Sequence, residues 1–237
     1  YMSSGPVAAY GYKALIGRAY DTVVILAPSH RQYFEGAAIQ KQGGYKTPLG
    51  VVPVDEPLAA RLLARRPTVQ SNAKAHEGEH SLEVQLPFLQ VALEHFHLLP
   101  LMMGSQSPRV CRELGLAVAE VVRGRRALLV ASTDLSHYQP DPVARELDRR
   151  TLQYVLDFDP DGLAAALESS VAHACGGGPV AAVMVAARQL GATSVRLAKY
   201  ATSGDVWADR AQVVGYASLV ISRPSGEGSL NASGASA

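Results

Sequence analysis

Short apolar runs alternate along the chain with longer segments of helical periodicity. The run Thr22–Ala27 is continuous and β-branched, which is typical of a strand buried on both faces. Apolar residues recur at helical spacing through 81–96, where Pro87 predicts a kink or a new helix start. The same patterns predict further strands at 49–54, 97–103, 127–131, 195–200 and 213–221, and helices at 56–66, 109–123, 142–156, 160–168 and 179–190.

This alternation predicts an α/β fold, a three-layer αβα sandwich around a mainly parallel central sheet. The sequence has no internal repeat and no linker-like segment before residue 224, so residues 1–223 are predicted to form a single α/β domain. Residues 224–237 are rich in Gly, Ser and Ala, and this composition predicts a disordered tail.

Composition and charge argue against several function classes. The chain has 22 Lys+Arg and 21 Asp+Glu, and its net charge of +1 gives no reason to expect nucleic acid or a membrane surface as partner. No apolar stretch reaches the roughly 18 residues of a membrane span. Two cysteines are too few for a disulfide framework and suit a reducing, cytoplasmic location. The chain opens with Tyr1 and no signal-peptide pattern, and we expect further residues upstream.

Polar residues of unusual type follow two of the predicted strands. Ligands of open α/β sheets bind beyond the carboxyl ends of the strands. His30 follows the first strand, and its imidazole is either a metal ligand or an ordinary loop histidine. Asp134 and His137 follow the strand at 127–131. They are either a carboxylate that orients an acid/base histidine or a capping residue beside a surface histidine.

Cys175 precedes three glycines and a proline that open a predicted helix. A helix N-terminus favours the thiolate, so we expect a lowered thiol pKa and a metal ligand or reactive thiol. The alternative is a small buried hydrophobe. The glycine-rich turn could also cradle a phosphate, although it lacks the Lys and Ser/Thr of a P-loop. Cys111 lies within a helical pattern and is predicted to be a packing residue.

Residues 76–80 match the H-E-x-x-H pattern of zinc proteases. Gly78 lies in the middle of the motif, and helical periodicity starts only at Leu82, so we interpret the segment as a loop that enters a helix. His80 remains a candidate pocket residue and His76 a weaker one. The other histidines lack supporting residues and are predicted to be solvated or structural: His95, His97 and His173.

Several runs of sequence resemble the MEMO family, whose prokaryotic members are also called AmmeMemoRadiSam system protein B. They occur in the family's order over roughly residues 3–221. The runs are A-P-S-H at 27–30, Y-K-T-P-L-G at 45–50, E-H-S-L-E-V-Q-L-P-F at 79–88, S-T-D-L-S-H-Y at 132–138 and C-G-G-G-P at 175–179. The resemblance implies one MEMO-like domain at 1–223 with a fold like that of class III extradiol dioxygenases.

The resemblance also implies a metal site of two histidines and one cysteine. His30 matches one histidine and Cys175 matches the cysteine. The other histidine belongs to a Pro-His-Ala-Gly-Tyr segment, so we expect this third ligand to be missing upstream of Tyr1. The dioxygenases hold Fe(II) with a carboxylate where this family has a thiolate, and the softer thiolate favours Cu, Zn or thiolate-bound iron.

The same resemblance places His80, Asp134 and His137 in the wall of this pocket as catalytic candidates. His137 takes the position of the acid/base histidine of the dioxygenases. The family name further implies an association with a radical-SAM protein and an AMMECR-type protein.

Three functions are open from the sequence. The first is a MEMO-family protein that binds Fe(II) or Cu in a dioxygenase-like pocket, with a redox-linked role on a small-molecule or peptide ligand. The second is an Fe(II) extradiol-type dioxygenase that acts on a catechol-like substrate. The third is a non-catalytic module that binds a peptide or a phosphorylated ligand.

Overall fold

The computed structural model describes residues 1–65 and 68–223 of the chain. The strands are β1 (Thr22–Pro28), β2 (Ala37–Ile39), β3 (Gly44–Thr47), β4 (Gly50–Pro53), β5 (Val69–Ser71), β6 (His97–Met103), β7 (Ala127–Ala131), β8 (His137–Gln139), β9 (Ser194–Thr202) and β10 (Val213–Ser222). The α-helices are α1 (Gly5–Tyr12), α2 (Glu56–Arg65), α3 (Leu86–Ala92), α4 (Pro108–Val122), α5 (Asp141–Leu156), α6 (Pro160–Glu168), α7 (Gly177–Gln189) and α8 (Gly204–Trp207).

Five strands form the central sheet in the order β5-β2-β6-β1-β7. Strand β1 pairs in parallel with β6 and with β7, and β2 pairs in parallel with β5. Only the β2–β6 pair is antiparallel among the pairs described for this sheet. The predicted mainly parallel sheet is therefore confirmed. All seven residues of β1 are buried, as the continuous apolar run indicates.

Helices cover one face of this sheet, and a helix with a hairpin covers the other. Val24 and Leu26 face a core cluster that is shared with α2, α4, α6 and α7. Val23 and Ile25 face the opposite cluster, which α3 and the β3–β4 hairpin complete. Successive side chains of a strand point to opposite faces, so β1 contributes to both clusters. The three-layer arrangement predicted from the sequence is confirmed.

The late strands do not join the central sheet. Strands β8, β10 and β9 form a second, antiparallel sheet, and β4, predicted at 49–54, pairs only with β3 in a hairpin among the named strands. The backbone N–H of Leu135 donates to the carbonyl of Gly215, and the N–H of Gly215 donates to the carbonyl of Ser136. These two bonds fix the loop after β7 against the second sheet.

The predicted helix at 81–96 is shorter in the structure. A 3₁₀ turn occupies Glu83–Gln85, helix α3 begins at Leu86, and the chain is already extended at Leu93. Pro87 lies in the first turn of α3, where its missing N–H costs no helical hydrogen bond. Residue 66 of the predicted helix at 56–66 and the predicted tail at 224–237 lie outside the described residues. No helix within the described ranges is long and apolar enough to cross a membrane.

Candidate functional site

The loops after β1, β6 and β7 meet the start of α7 at one edge of the central sheet. Because the three strands are parallel to one another, their carboxyl ends lie at the same edge. The Cys175 N–H donates to the Asp134 carbonyl at 3.2 Å, and Gln106 Nε2 donates to the Cys175 carbonyl at 2.9 Å. The sequence therefore placed His30, Asp134 and Cys175 correctly at the ends of elements that converge.

A chain of buried and partly buried hydrogen bonds holds these loops in fixed relative positions. Ser81 Oγ donates to the Pro28 carbonyl at 2.8 Å, and Ser132 Oγ donates to the Ser81 carbonyl at 2.6 Å. Gln85 Nε2 donates to Ser132 Oγ at 2.8 Å, and Tyr12 OH donates to Gln85 Oε1 at 2.6 Å. Each polar side chain has a partner, so the network rigidly links the end of β1, the segment before α3 and the end of β7.

Glu79 organises the first group of potential ligands. Its side chain is only 1% exposed, and Oε2 accepts the backbone N–H of His30 at 2.6 Å. Oε1 lies 3.1 Å from His30 Nδ1 and accepts the N–H groups of His80 at 2.8 Å and Ser81 at 3.1 Å. The His30 and His80 rings stack with centroids 5.0 Å apart. One buried carboxylate thus sets the positions of both imidazoles.

Glu79 remains ionised at neutral pH. Burial is the largest influence and raises the pKa of its carboxyl. The hydrogen bonds from His30 and Ser81, together with the charge of His30, outweigh burial and lower this pKa to about 2. The buried site therefore contains a fixed negative charge.

Asp134, His137 and Cys175 form the second group of potential ligands. One donor atom from each lies within 4.8 Å of the others. His137 Nε2 is 3.8 Å from Asp134 Oδ2, a distance within ion-pair range but longer than a hydrogen bond. Asp134 therefore lies beside His137, but no direct hydrogen bond joins the two side chains. A carboxylate that orients the histidine, one of the two alternatives from the sequence, would make such a bond.

The structure places His30 and Cys175 in two neighbouring groups. Within the described ranges, His30 clusters with Glu79 and His80, whereas Cys175 clusters with Asp134 and His137. Asp134 connects the groups electrostatically. Burial raises the pKa of its carboxyl, and the positive charges of His137, His30 and His80 act in the opposite direction. The five residues proposed from the sequence therefore share one electrostatic environment.

The three glycines after Cys175 allow close packing against three neighbouring segments. A Cβ at Gly176 would overlap with the Ser132 carbonyl, one at Gly177 with the Leu167 side chain, and one at Gly178 with the Gln106 side chain. Their N–H groups also have protein partners. Gly176 donates to Thr133 Oγ1, Gly177 to the Ala174 carbonyl and Gly178 to Gln106 Oε1. This turn consequently has no free N–H at 176–178 for a phosphate.

A cavity of about 620 Å³ opens beside Cys175. Cys175 and His137 line it together with His173, which the sequence predicted to be solvated or structural. The backbone N–H of His173 donates to Thr151 Oγ1 at 2.9 Å, and this bond fixes the segment between α6 and α7. The remaining lining residues are Gln106, Ser107, Leu135, Ser136, Leu167, Glu168, Ala172 and Ala174.

The H-E-x-x-H match is not a zinc motif in this fold. His76 is buried, with Nδ1 2.7 Å from Tyr45 OH and Nε2 3.3 Å from the Ala38 carbonyl. Gly78 has a φ of +65°, so the segment is not a regular helix. His76 is absent from both groups of potential ligands found in the described part of the chain. The interpretation as a loop is therefore confirmed.

Comparison with known proteins identifies the family. The family described as Memo-like protein matches residues 1–220. The chain belongs to the Memo family. A MEMO1 family protein of Methanothermobacter thermautotrophicus is 41% identical over 222 residues, which cover 92% of this chain and 80% of the relative. A MEMO1 family protein of Methanopyrus kandleri is 40% identical over 227 residues, covering 94% of this chain and 80% of the relative.

A solved structure shares the fold of this Memo-family chain. The crystal structure of an uncharacterized protein from Escherichia coli K12 superposes with a TM-score of 0.60 at 16% identity. The match covers 90% of this chain and 97% of that protein. At this identity the likeness concerns the fold alone.

The thiol of this Memo-family chain differs from the sequence expectation. Burial, the largest influence, raises the pKa of Cys175, and the negative charge of Asp134 raises it further. Hydrogen bonds from Asp134 N–H, Thr133 and Gly176 act in the opposite direction but do not reverse the shift. The prediction of a lowered thiol pKa is therefore wrong for the metal-free protein, because burial outweighs the helix N-terminus.

We expect alkylation of Cys175 by iodoacetamide in the metal-free protein to rise only at a pH above that of an exposed cysteine, because the thiolate is the reacting form. Cys111 should not contribute to the labelling, since burial raises the pKa of its thiol to about 12. Asp134→Asn should shift the profile of Cys175 to lower pH, because it removes a negative charge and retains the backbone N–H. Mass spectrometry of the labelled peptide gives the profile. A midpoint below that of a model cysteine peptide would contradict the expectation.

Two residues that organise the Memo-family site were missed from the sequence. Glu79 stands directly before His80 in the run that resembles the family, but its burial could not be inferred from the sequence pattern. Gln106 bridges Cys175 and Gly178 from the loop after β6. Its only signal was its place shortly after a predicted strand.

Proposed function

We propose that this Memo-family chain binds iron or copper between its two groups of polar side chains and uses it in redox-linked chemistry on a small molecule. The observation that carries the proposal is the meeting of imidazole, thiol and carboxylate donors at one sheet edge. Two separate sets of three donor residues lie there, each within 4.8 Å. Such a combination of nitrogen and sulfur donors suits copper, zinc and thiolate-bound iron.

The residues present fit such a metal. His30 and Cys175 are the proposed ligands, as the family resemblance implies. Glu79 is less suited to direct ligation because both of its oxygens already accept N–H groups. The third ligand is proposed to come from a histidine before Tyr1. The Tyr1 ring lies 5.9 Å from the Phe88 ring of α3, and α3 follows the segment of Glu79 and His80, which supports an approach of this part of the chain to the site.

The other polar residues are proposed to donate and accept protons. A bound iron or copper ion supplies one-electron and Lewis-acid chemistry. His137 lies half-exposed in the cavity wall and is the proposed acid/base group, with Asp134 able to stabilise its protonated form across 3.8 Å. His80 is 67% exposed and stacks on His30, so it can exchange a proton with solvent.

The cavity favours a neutral or cationic substrate. Its volume of about 620 Å³ is in the range of small-molecule sites. Among the described residues, its lining contains Glu168 but no Lys or Arg, so an anionic substrate has no permanently charged partner in this part of the wall. The association with radical-SAM and AMMECR-type proteins is a prediction from the resemblance.

The two other functions considered from the sequence receive less support. A phosphorylated ligand lacks free donors at the glycine turn, because all three glycine N–H groups have protein partners. A ring-cleaving dioxygenase of the Fe(II) type would require a carboxylate where Cys175 stands. Oxygen uptake with a panel of catechols tests the latter directly.

Metal titration tests the proposed function. The chain would be studied as it stands and with Pro-His-Ala-Gly added before Tyr1, using Fe(II), Cu(I) and Zn(II) without oxygen. We expect one tightly bound metal in the extended chain. His30→Ala and Cys175→Ser should weaken binding by more than the roughly 10- to 100-fold that loss of a supporting partner costs.

Matched controls are His95→Ala, at an exposed histidine, and Cys111→Ser, at a buried cysteine that belongs to neither donor group found in the described residues. Neither should change the metal content. If neither form of the chain binds metal, or if His30→Ala and Cys175→Ser retain wild-type affinity, the proposed function is wrong.

A further inference from the structure

We propose that Glu79 is a positioning residue that holds His30 as the Nδ1–H tautomer, so that Nε2 is the ring nitrogen with a free lone pair. This inference rests on the proposed function for its link to a metal, but the tautomer itself is a property of the metal-free protein. It assigns a role to a carboxylate that neither the sequence motifs nor the metal prediction used.

The hydrogen-bond chemistry determines the tautomer. An ionised carboxylate only accepts hydrogen bonds, so the His30 Nδ1 that lies 3.1 Å from Glu79 Oε1 must carry the proton. In a neutral imidazole the other nitrogen then has a free lone pair. Nε2 of His30 is therefore the atom able to bind a metal or accept a proton. A carboxylate behind a ligating histidine fixes the ring and increases its basicity.

The main chain fixes Glu79 in place before any metal binds. Its Oε2 accepts the His30 N–H, while Oε1 accepts the N–H groups of His80 and Ser81. The same residue that contacts the imidazole of His30 thus also anchors the backbone of His30 and of the facing loop. These bonds connect the end of β1 with the segment before α3, so neither loop can move independently of the ring.

His80 adds a second constraint on the ring. Its imidazole stacks on that of His30 with an interplanar angle of 18°, and its Nδ1 lies 3.2 Å from Glu79 Oε1. The stacked ring restricts rotation of His30 about its χ2 bond, while the carboxylate selects which ring nitrogen carries the proton. The arrangement defines both the plane and the tautomer of the proposed ligand.

The direct test is the tautomer in the metal-free protein. Long-range ¹H–¹⁵N NMR spectra distinguish a protonated from an unprotonated ring nitrogen, and a His30→Gln spectrum assigns the signals. Above neutral pH we expect a protonated Nδ1 and an unprotonated Nε2 at His30. Free histidine favours the opposite tautomer, so this result supports a selecting partner. A His30 ring protonated at Nε2 overturns the proposal, whatever the behaviour of any variant.

Two matched variants separate positioning from general charge loss. Glu79→Gln and Glu77→Gln each remove one carboxylate from the same segment, but Glu77 is exposed. Glu79→Gln should increase the Nε2–H form of His30 and weaken Zn(II) binding in a chelator competition by about 10- to 100-fold, whereas Glu77→Gln should change neither. A folded Glu79→Gln protein with the wild-type tautomer and Zn(II) affinity overturns the proposal.

The experiment also distinguishes this proposal from the proposed function. A wild-type protein with the Nδ1–H tautomer that binds no iron, copper or zinc supports the role of Glu79 and overturns the metal function. A wild-type protein that binds metal, but whose His30 carries its proton on Nε2 before metal is added, supports the metal function and overturns the role of Glu79. If Glu79→Gln does not fold, the spectrum of the wild-type protein still tests the proposed tautomer of His30.

Discussion

Gly176→Ala should lower the free energy of unfolding by about 3 kcal/mol, the upper part of the range for overpacked sites. Gly176 has a φ of −108°, so alanine meets no backbone strain at this position. The loss comes from space alone. An added Cβ would overlap with the Ser132 carbonyl and lie 2.9 Å from Thr133 Cβ. Because the obstacle at Ser132 is backbone, α7 must move away from the loop after β7, and Cys175 moves with it.

The neighbouring glycines provide graded controls for urea unfolding measurements. The three atoms nearest to a Cβ at Gly177 all belong to the Leu167 side chain, which can adopt another rotamer, so the effect of Gly177→Ala should be the smallest. Gly178→Ala displaces Gln106 and breaks that residue's bonds to Gly178 N–H and the Cys175 carbonyl, so its effect should be intermediate. An unfolding free energy for Gly176→Ala equal to that for Gly177→Ala would contradict the packing described for this turn.

Acidification should remove about 3 kcal/mol of stability through His76 alone. Burial, the largest influence, lowers the pKa of this imidazole from 6.5 to about 4, although the Ala38 carbonyl and Glu79 oppose the shift. The folded protein therefore binds fewer protons than the unfolded chain between these two values. Stability is complete above pH 6.5 and is lost as the pH falls toward 4. Protonation would also place a second N–H against Tyr45 OH.

His76→Gln isolates this contribution in urea unfolding at pH 4 to 7. The variant should be less stable than the wild type at pH 7, since it disturbs the bonds to Tyr45 and Ala38. Its stability should fall less steeply with acid, because the titrating group is gone. His95→Gln, at an exposed histidine, should retain the wild-type slope. Equal slopes for the wild type and His76→Gln would show that His76 does not titrate abnormally.

Local sequence patterns predicted the elements that are long and regular. The buried run at 22–27 became β1, and the helix predicted at 109–123 became α4, shifted by one residue at each end. Strands of three residues, such as β2 and β5, were missed because so few positions form no recognisable period. The late strands were recognised, but their pairing in a second sheet depends on contacts far apart in the sequence.

The sequence by itself determined the family, the α/β class and the presence of His30, Asp134 and Cys175 at element ends that parallel pairing brings to one edge. Only the tertiary structure decided how their environments differ. Burial is a property of the packed chain. It raised the thiol pKa that the helix start alone would lower, made His76 a structural residue and enclosed Glu79 behind His30. These effects depend on desolvation and on partners dozens of residues away, which no local pattern contains.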